Sequence, residues 1–84
     1  MVKIEWTEAA TKDLEKLDIT VAQRVLKKIG GLSDNFGRII PEPLDGEFKG
    51  AFKIRIGDWR VIYTVESQTL VIQFIGHRRE IYNI

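Results

Sequence analysis

Eighty-four residues make one domain, 1–84, with room for a single modest core and none for the fold of a large cofactor. Hydrophobic residues at 44% and charged residues at 30% are ordinary for a globular chain, and a net charge of +1 hides where the charges lie. The absence of cysteine excludes disulfides, thiolate zinc sites and cysteine nucleophiles. The opening Met1-Val2-Lys3-Ile4-Glu5-Trp6 lacks the apolar run of a signal peptide, and no stretch approaches membrane-spanning length. The expectation is a cytoplasmic protein without a membrane partner.

Val2, Ile4 and Trp6 alternate with Lys3 and Glu5, the period of a short strand. Thr7 suits the N-cap of a helix through Leu17, with Ala10, Leu14 and Leu17 on its buried stripe. A second helix starts around Asp18 to Thr20, carries Ala22, Val25, Leu26 and Ile29 at helical spacing, and is expected to stop or fray at Gly30-Gly31. Ser33 to Glu47 holds both prolines and the turn-forming pairs Ser33-Asp34 and Asp45-Gly46, so it reads as a loop with room for a helical turn.

From Phe52 to Tyr63 apolar and polar residues alternate around Gly57-Asp58, a pair that suits a two-residue hairpin loop. That loop sets Ile56 against Trp59, Arg55 against Arg60, Ile54 against Val61, Lys53 against Ile62 and Phe52 against Tyr63. A third strand, Leu70 to Gly76, follows a turn at Ser67-Gln68. Its expected register puts Leu70 opposite Val65, Ile72 opposite Tyr63 and Phe74 opposite Val61, with Val71, Gln73, Ile75 and His77 on the face that carries the cations. The order β-α-α-β-β-β predicts an α+β domain: a helical hairpin packed on one face of a mostly antiparallel twisted sheet, the other face open.

Lys53, Arg55 and Arg60 share that open face. Like charges ~5 Å apart repel by roughly 0.8 kcal/mol even in bulk water, so a sheet built only for stability would avoid them. A polyanion between them reverses the sign, because phosphates neutralise the cations and release counterions. After Phe48 the basic residues Lys49, Lys53, Arg55, Arg60, Arg78 and Arg79 outnumber Asp58, Glu66 and Glu80, so a polyanion is expected on the second half. Arg forks hold phosphate bidentately, and Lys, His and Tyr can move protons. This set suits metal-free cleavage of RNA, whose 2′-hydroxyl is already the nucleophile. An enzyme then has to align it, stabilise the added negative charge and protonate the leaving 5′-oxygen. A lone histidine with no cysteine is poor metal chemistry, and no phosphate loop or zinc pattern occurs.

The run from Leu44 to Tyr63, with its KxR and GDWRVIY segments, followed by GHRREIY from Gly76 to Tyr82, resembles the RelE/ParE superfamily of toxin–antitoxin toxins, and the RelE branch most. RelE-like toxins are ribosome-dependent endoribonucleases that cut mRNA in the ribosomal A site, leaving a 2′,3′-cyclic phosphate and a 5′-hydroxyl. The resemblance implies that Lys53 and Arg55 are catalytic strand cations, Arg60 a phosphate-stabilising arginine, Arg78 the arginine after the last strand, and Tyr82 the C-terminal tyrosine that stacks on or orients substrate. Lys49 and Arg79 join them as RNA-binding residues, and His77 stands beside Lys53 as a proton-transfer group. The family commonly has lysine where Arg55 stands, and a guanidinium cannot serve as general base. The implied partners are a cognate antitoxin, the ribosome and mRNA, with no metal and no small-molecule cofactor. An acidic antitoxin segment would cover the basic face, or an apolar one would seat along the helices or at Ile39 and Ile40.

Two other readings stay open. The ParE branch shares the fold and poisons DNA gyrase without a converging basic face, and a non-toxic nucleic-acid-binding domain would bind RNA with steep salt dependence and no cleavage. Residue by residue, Arg60 can pair with Asp58 or Glu66, His77 can cap a helix, and Tyr82 can anchor the tail on Trp59 or Phe74.

Overall fold

The computed structural model describes residues 2–38 and 41–81. Strand β1 (Lys3–Trp6) leads into helices α1 (Glu8–Glu15) and α2 (Ile19–Asp34). A two-residue strand β2 (Glu42–Pro43) follows, then β3 (Phe52–Ile56), β4 (Trp59–Glu66), β5 (Thr69–His77) and a short helix α3 (Arg78–Ile81). The strands form one sheet in the order β1-β5-β4-β3-β2. β1 runs parallel to β5, and the other neighbours are antiparallel.

Both helix starts are capped as their sequences dictate. Thr7 Oγ1 accepts from the Ala10 N–H at 3.0 Å, and Asp18 Oδ2 accepts from the Thr20 N–H at 3.0 Å. Thr7 also donates its hydroxyl to the Gln73 carbonyl at 2.8 Å, and Asp13 Oδ2 accepts from the Ile75 N–H at 2.9 Å, so α1 is pinned to β5 by side chain to backbone bonds. α1 ends at Glu15, short of Leu17, which still packs on the core.

α2 runs through Gly30-Gly31 to Asp34, beyond its expected stop. Leu32 and Ser33 are buried there, and the Ser33 hydroxyl donates to the Val2 carbonyl at 2.6 Å, so tertiary anchoring overrides the weak propensity of two glycines. The buried stripe of α2 is Val25, Ile29 and Leu32 with Val21 at its edge, and Leu26 is 48% exposed. Val21, Val25, Ile29 and Leu32, with Ala10 of α1, pack on Ile54, Ile56, Val61, Tyr63, Leu70, Ile72 and Ile75 of the sheet. Among the described residues no helix is long and apolar enough to cross a membrane.

The β3–β4 register is the expected one, from Ile56 against Trp59 to Phe52 against Tyr63, about a turn whose Gly57 has φ +59. A positive φ at the first loop residue is what a type II′ turn requires and glycine supplies. β4 and β5 begin as expected, with Val65 against Leu70 and Tyr63 against Ile72. The register then slips: Ile62 lies against Phe74, Val61 against Ile75 and Trp59 against His77. Gln73 is the extra residue of a β-bulge, which returns every later side chain of β5 to the opposite face. The expected Phe74–Val61 pair is therefore absent. Ile75 belongs to the core, Phe74 moves to the face of Lys53, and His77 shares the side of Trp59 rather than that of Arg60.

Candidate functional site

Three strands supply two rungs on the face away from the helices. Arg55, Arg60 and Gly76 form the rung nearest the hairpin turn, and Lys53, Ile62 and Phe74 form the next. Lys53, Arg55 and Arg60 thus alternate onto one side, and the like-charged Arg55–Arg60 pair is real in the register. The face is less open than expected. Ile62 is 1% exposed, the Phe48 ring lies 6.4 Å from that of Phe74, and a Cβ on Gly76 would sit 3.2 Å from Ile81 Cγ2. Glycine at 76 lets α3 fold back against the sheet beside Arg60.

Each cation is held differently. Arg60 curls over the turn and donates from Nη1 to the Gly57 carbonyl at 2.9 Å and to the Trp59 carbonyl at 3.0 Å, not to Asp58 or Glu66. One nitrogen thereby fixes the guanidinium plane and leaves the Nε and Nη2 donors for an anion. Arg55 Nε lies 3.6 Å from Glu42 Oε2 on the edge strand β2. Arg78 Nε lies 3.5 Å from Asp58 Oδ1, and its backbone N–H donates to the Asp58 carbonyl at 2.7 Å. These pairs are more than half exposed and contribute at most about 1 kcal/mol each, so their carboxylates can be exchanged for phosphate at small cost. Lys53 is partly buried and has a partner of its own.

His77 sits at the start of α3. Its Nδ1 accepts from the Arg79 N–H at 3.1 Å, while Glu80 Oε1 accepts from the His77 N–H at 3.3 Å, a reciprocal capping pair. The acceptor role of Nδ1 places the proton of the neutral ring on Nε2. The ring meets Trp59 edge-on at 5.1 Å. Lys49 and Arg79 are exposed, Lys49 just after a 3-10 turn at Gly46–Phe48. Tyr82, and with it its expected contacts, lies outside the described residues, as do Ile39 and Ile40.

The basic surface is not confined to the second half of the chain. Arg24, Lys27 and Lys28 of α2 join Lys53, Arg55 and Glu42 around a cleft of about 870 Å³ between α2 and the sheet edge. The signal was available in the sequence as three cations on neighbouring turns of one helix. Tyr63, at the inner wall of this cleft, is fully buried, and burial, then the Glu42 carboxylate, hold its hydroxyl above the usual phenol range. Among the described residues no group of acids and histidines could hold a metal ion.

The sequence model for the ParE toxin of type II toxin–antitoxin systems matches residues 4–82. The chain belongs to the RelE/ParE superfamily of type II toxins. Toxin RelG of Mycobacterium tuberculosis is 33% identical over 82 residues, spanning 94% of this chain and 93% of its own. The structure is similar to the toxin–antitoxin complex RelBE2 of the same organism, at 31% identity and TM-score 0.79 over 92% of this chain and 98% of that one. It is also similar to isolated RelE of E. coli, at 25% identity and TM-score 0.78 over 99% and 93%.

Proposed function

We propose that this toxin is an endoribonuclease that cuts mRNA bound in the ribosomal A site. The observation that carries the reading is the Lys53, Arg55 and Arg60 cluster on one face, with the Arg60 guanidinium pre-oriented by two carbonyls. The RNA 2′-oxygen attacks the adjacent phosphorus, the P–O5′ bond breaks, and the products are a 2′,3′-cyclic phosphate and a 5′-hydroxyl. Arg60 and Arg78 hold the phosphate and stabilise its added charge, with Arg55 assisting. Lys53, on the same face as the phosphate, exchanges protons with the attacking and leaving oxygens. His77 sits on the Trp59 side as a helix cap, so its contribution is to place Arg78 and Arg79. Lys49 and Arg79 steer the RNA backbone, and Tyr82 orients a base. The similarity to the toxins RelG and RelE supports a toxin's role.

A second reading draws on the family model itself, which is that of ParE: inhibition of DNA gyrase without nuclease chemistry. One experiment separates the two. The toxin is added to a reconstituted translation reaction with 5′-end mapping of the message, and in parallel to gyrase with supercoiled DNA. The nuclease reading expects in-frame cuts and intact DNA. Gyrase-dependent breaks with an uncut message would replace it.

A further inference from the structure

Beside the cationic face lies a hollow of about 350 Å³, whose walls include Phe48, Phe74, Ile62, Thr64, Gln73 and Lys49. Regular strand alternation would turn Gln73 and Phe74 to opposite faces, yet both line this hollow, because Gln73 is the bulged residue. The Phe48 and Phe74 rings are tilted by 58°, so they form a wedge and not a closed stack. The Phe48 side is held in place. Leu44 N–H donates to the Ala51 carbonyl at 2.9 Å and Ala51 N–H to the Phe48 carbonyl at 3.0 Å, closing the loop over buried Leu44.

The polar wall has a fixed polarity. Thr64 donates its hydroxyl to Glu66 Oε2 at 3.2 Å, so its oxygen accepts from Gln73 Nε2 at 2.9 Å. Among the described residues that leaves Gln73 with a free Oε1 acceptor and one free Nε2 donor. An aromatic wedge, an apolar floor and an amide edge are what a nucleobase needs for stacking and edge reading. An amide matches the N6 donor and N7 acceptor of adenine, whereas the same edge of guanine offers two acceptors. Phe74 shares a rung with Ile62 and Lys53, which places it about two inter-strand spacings, ~10 Å, from Lys53. That is comparable to the reach of one nucleotide from its phosphate to the far edge of its base.

We infer that this hollow is a nucleobase subsite that receives the base next to the cut and favours adenine over guanine, with Phe74 and Phe48 as the stacking platform and Gln73 as the reader. The inference rests on the ribonuclease reading for its substrate, and its test has an arm that does not. Full-length toxin is titrated with triribonucleotides blocked against cleavage by one 2′-deoxy position and carrying adenine, guanine or no base at the centre. The Gln73 side-chain amide and the two Phe rings are followed by NMR. Adenine should shift all three, the abasic trimer none of them. Phe74→Leu, which keeps the apolar cover, should weaken the adenine trimer by roughly tenfold, the size of one lost base–ring stack. Gln73 and Phe signals that stay fixed, or equal affinity for the adenine and abasic trimers, would overturn the subsite even if the message is cut. In the translation reaction Gln73→Leu should lower the share of cuts beside adenine. An unchanged share in a cutting enzyme would remove Gln73 as reader. If the wild type cuts no message the nuclease reading fails, and the trimer titration alone decides the subsite.

Discussion

The two faces of the sheet are governed by different physics. On the helix-covered face Val61, Leu70 and Ile72 are inaccessible to solvent, and each is held by the volume of its neighbours. On the other face Arg55 opposes Arg60 across a strand pair, and a surface carboxylate and turn carbonyls offset the repulsion. The contrast teaches that the covered face determines whether the chain folds, while the cationic face is kept for what it binds.

Substitutions can break or sharpen that contrast. Ile72→Ala, on the covered face, should lose ~2–5 kcal/mol in urea unfolding, whereas Arg55→Ala on the other face should stay within ~1 kcal/mol. Comparable losses would erase the distinction between the faces. At the sheet end, His77→Ala removes the α3 cap and should cost ~1 kcal/mol, while His77→Asn should restore most of it. Thermal unfolding reads both, and activity retained in His77→Asn would leave the ring no proton-transfer role. The β4–β5 turn carries Ser67 at φ 59, so Ser67→Gly should gain up to about 1 kcal/mol by relieving left-handed backbone strain. Smallest at neutral pH is Tyr63→Phe. Because the folded state holds the Tyr63 hydroxyl above its ordinary value of 10.0, the unfolded chain ionises first. Its contribution is complete below pH 10 and falls as pH rises through the folded value. Tyr63→Phe should therefore flatten the alkaline part of a stability profile, and an unaltered slope would contradict the burial argument.

Much of this arrangement was legible in the residues. Gly57-Asp58 fixes the hairpin, and the two-residue period then places Lys53, Arg55 and Arg60 together with no information from elsewhere in the chain. The Thr7 and Asp18 caps are equally local. What periodicity could not show was the bulge at Gln73, which depends on α1 reaching over to bond the Gln73 carbonyl and the Ile75 N–H. That one extra residue moved Ile75 into the core, turned His77 toward Trp59 and brought Phe74 beside Lys53. The passage of α2 through Gly30-Gly31 was likewise set by a distant partner, the Val2 carbonyl, and the cleft shared by α2 and β3 exists only once the helix is docked.

The central claim is tested most directly by the single-turnover cleavage rate of a ribosome-bound message with Arg60→Ala, prepared at the same melting temperature as the wild type. Loss of a preorganised phosphate ligand predicts a fall on the order of 10²–10³-fold. A rate equal to that of the wild type would contradict the account.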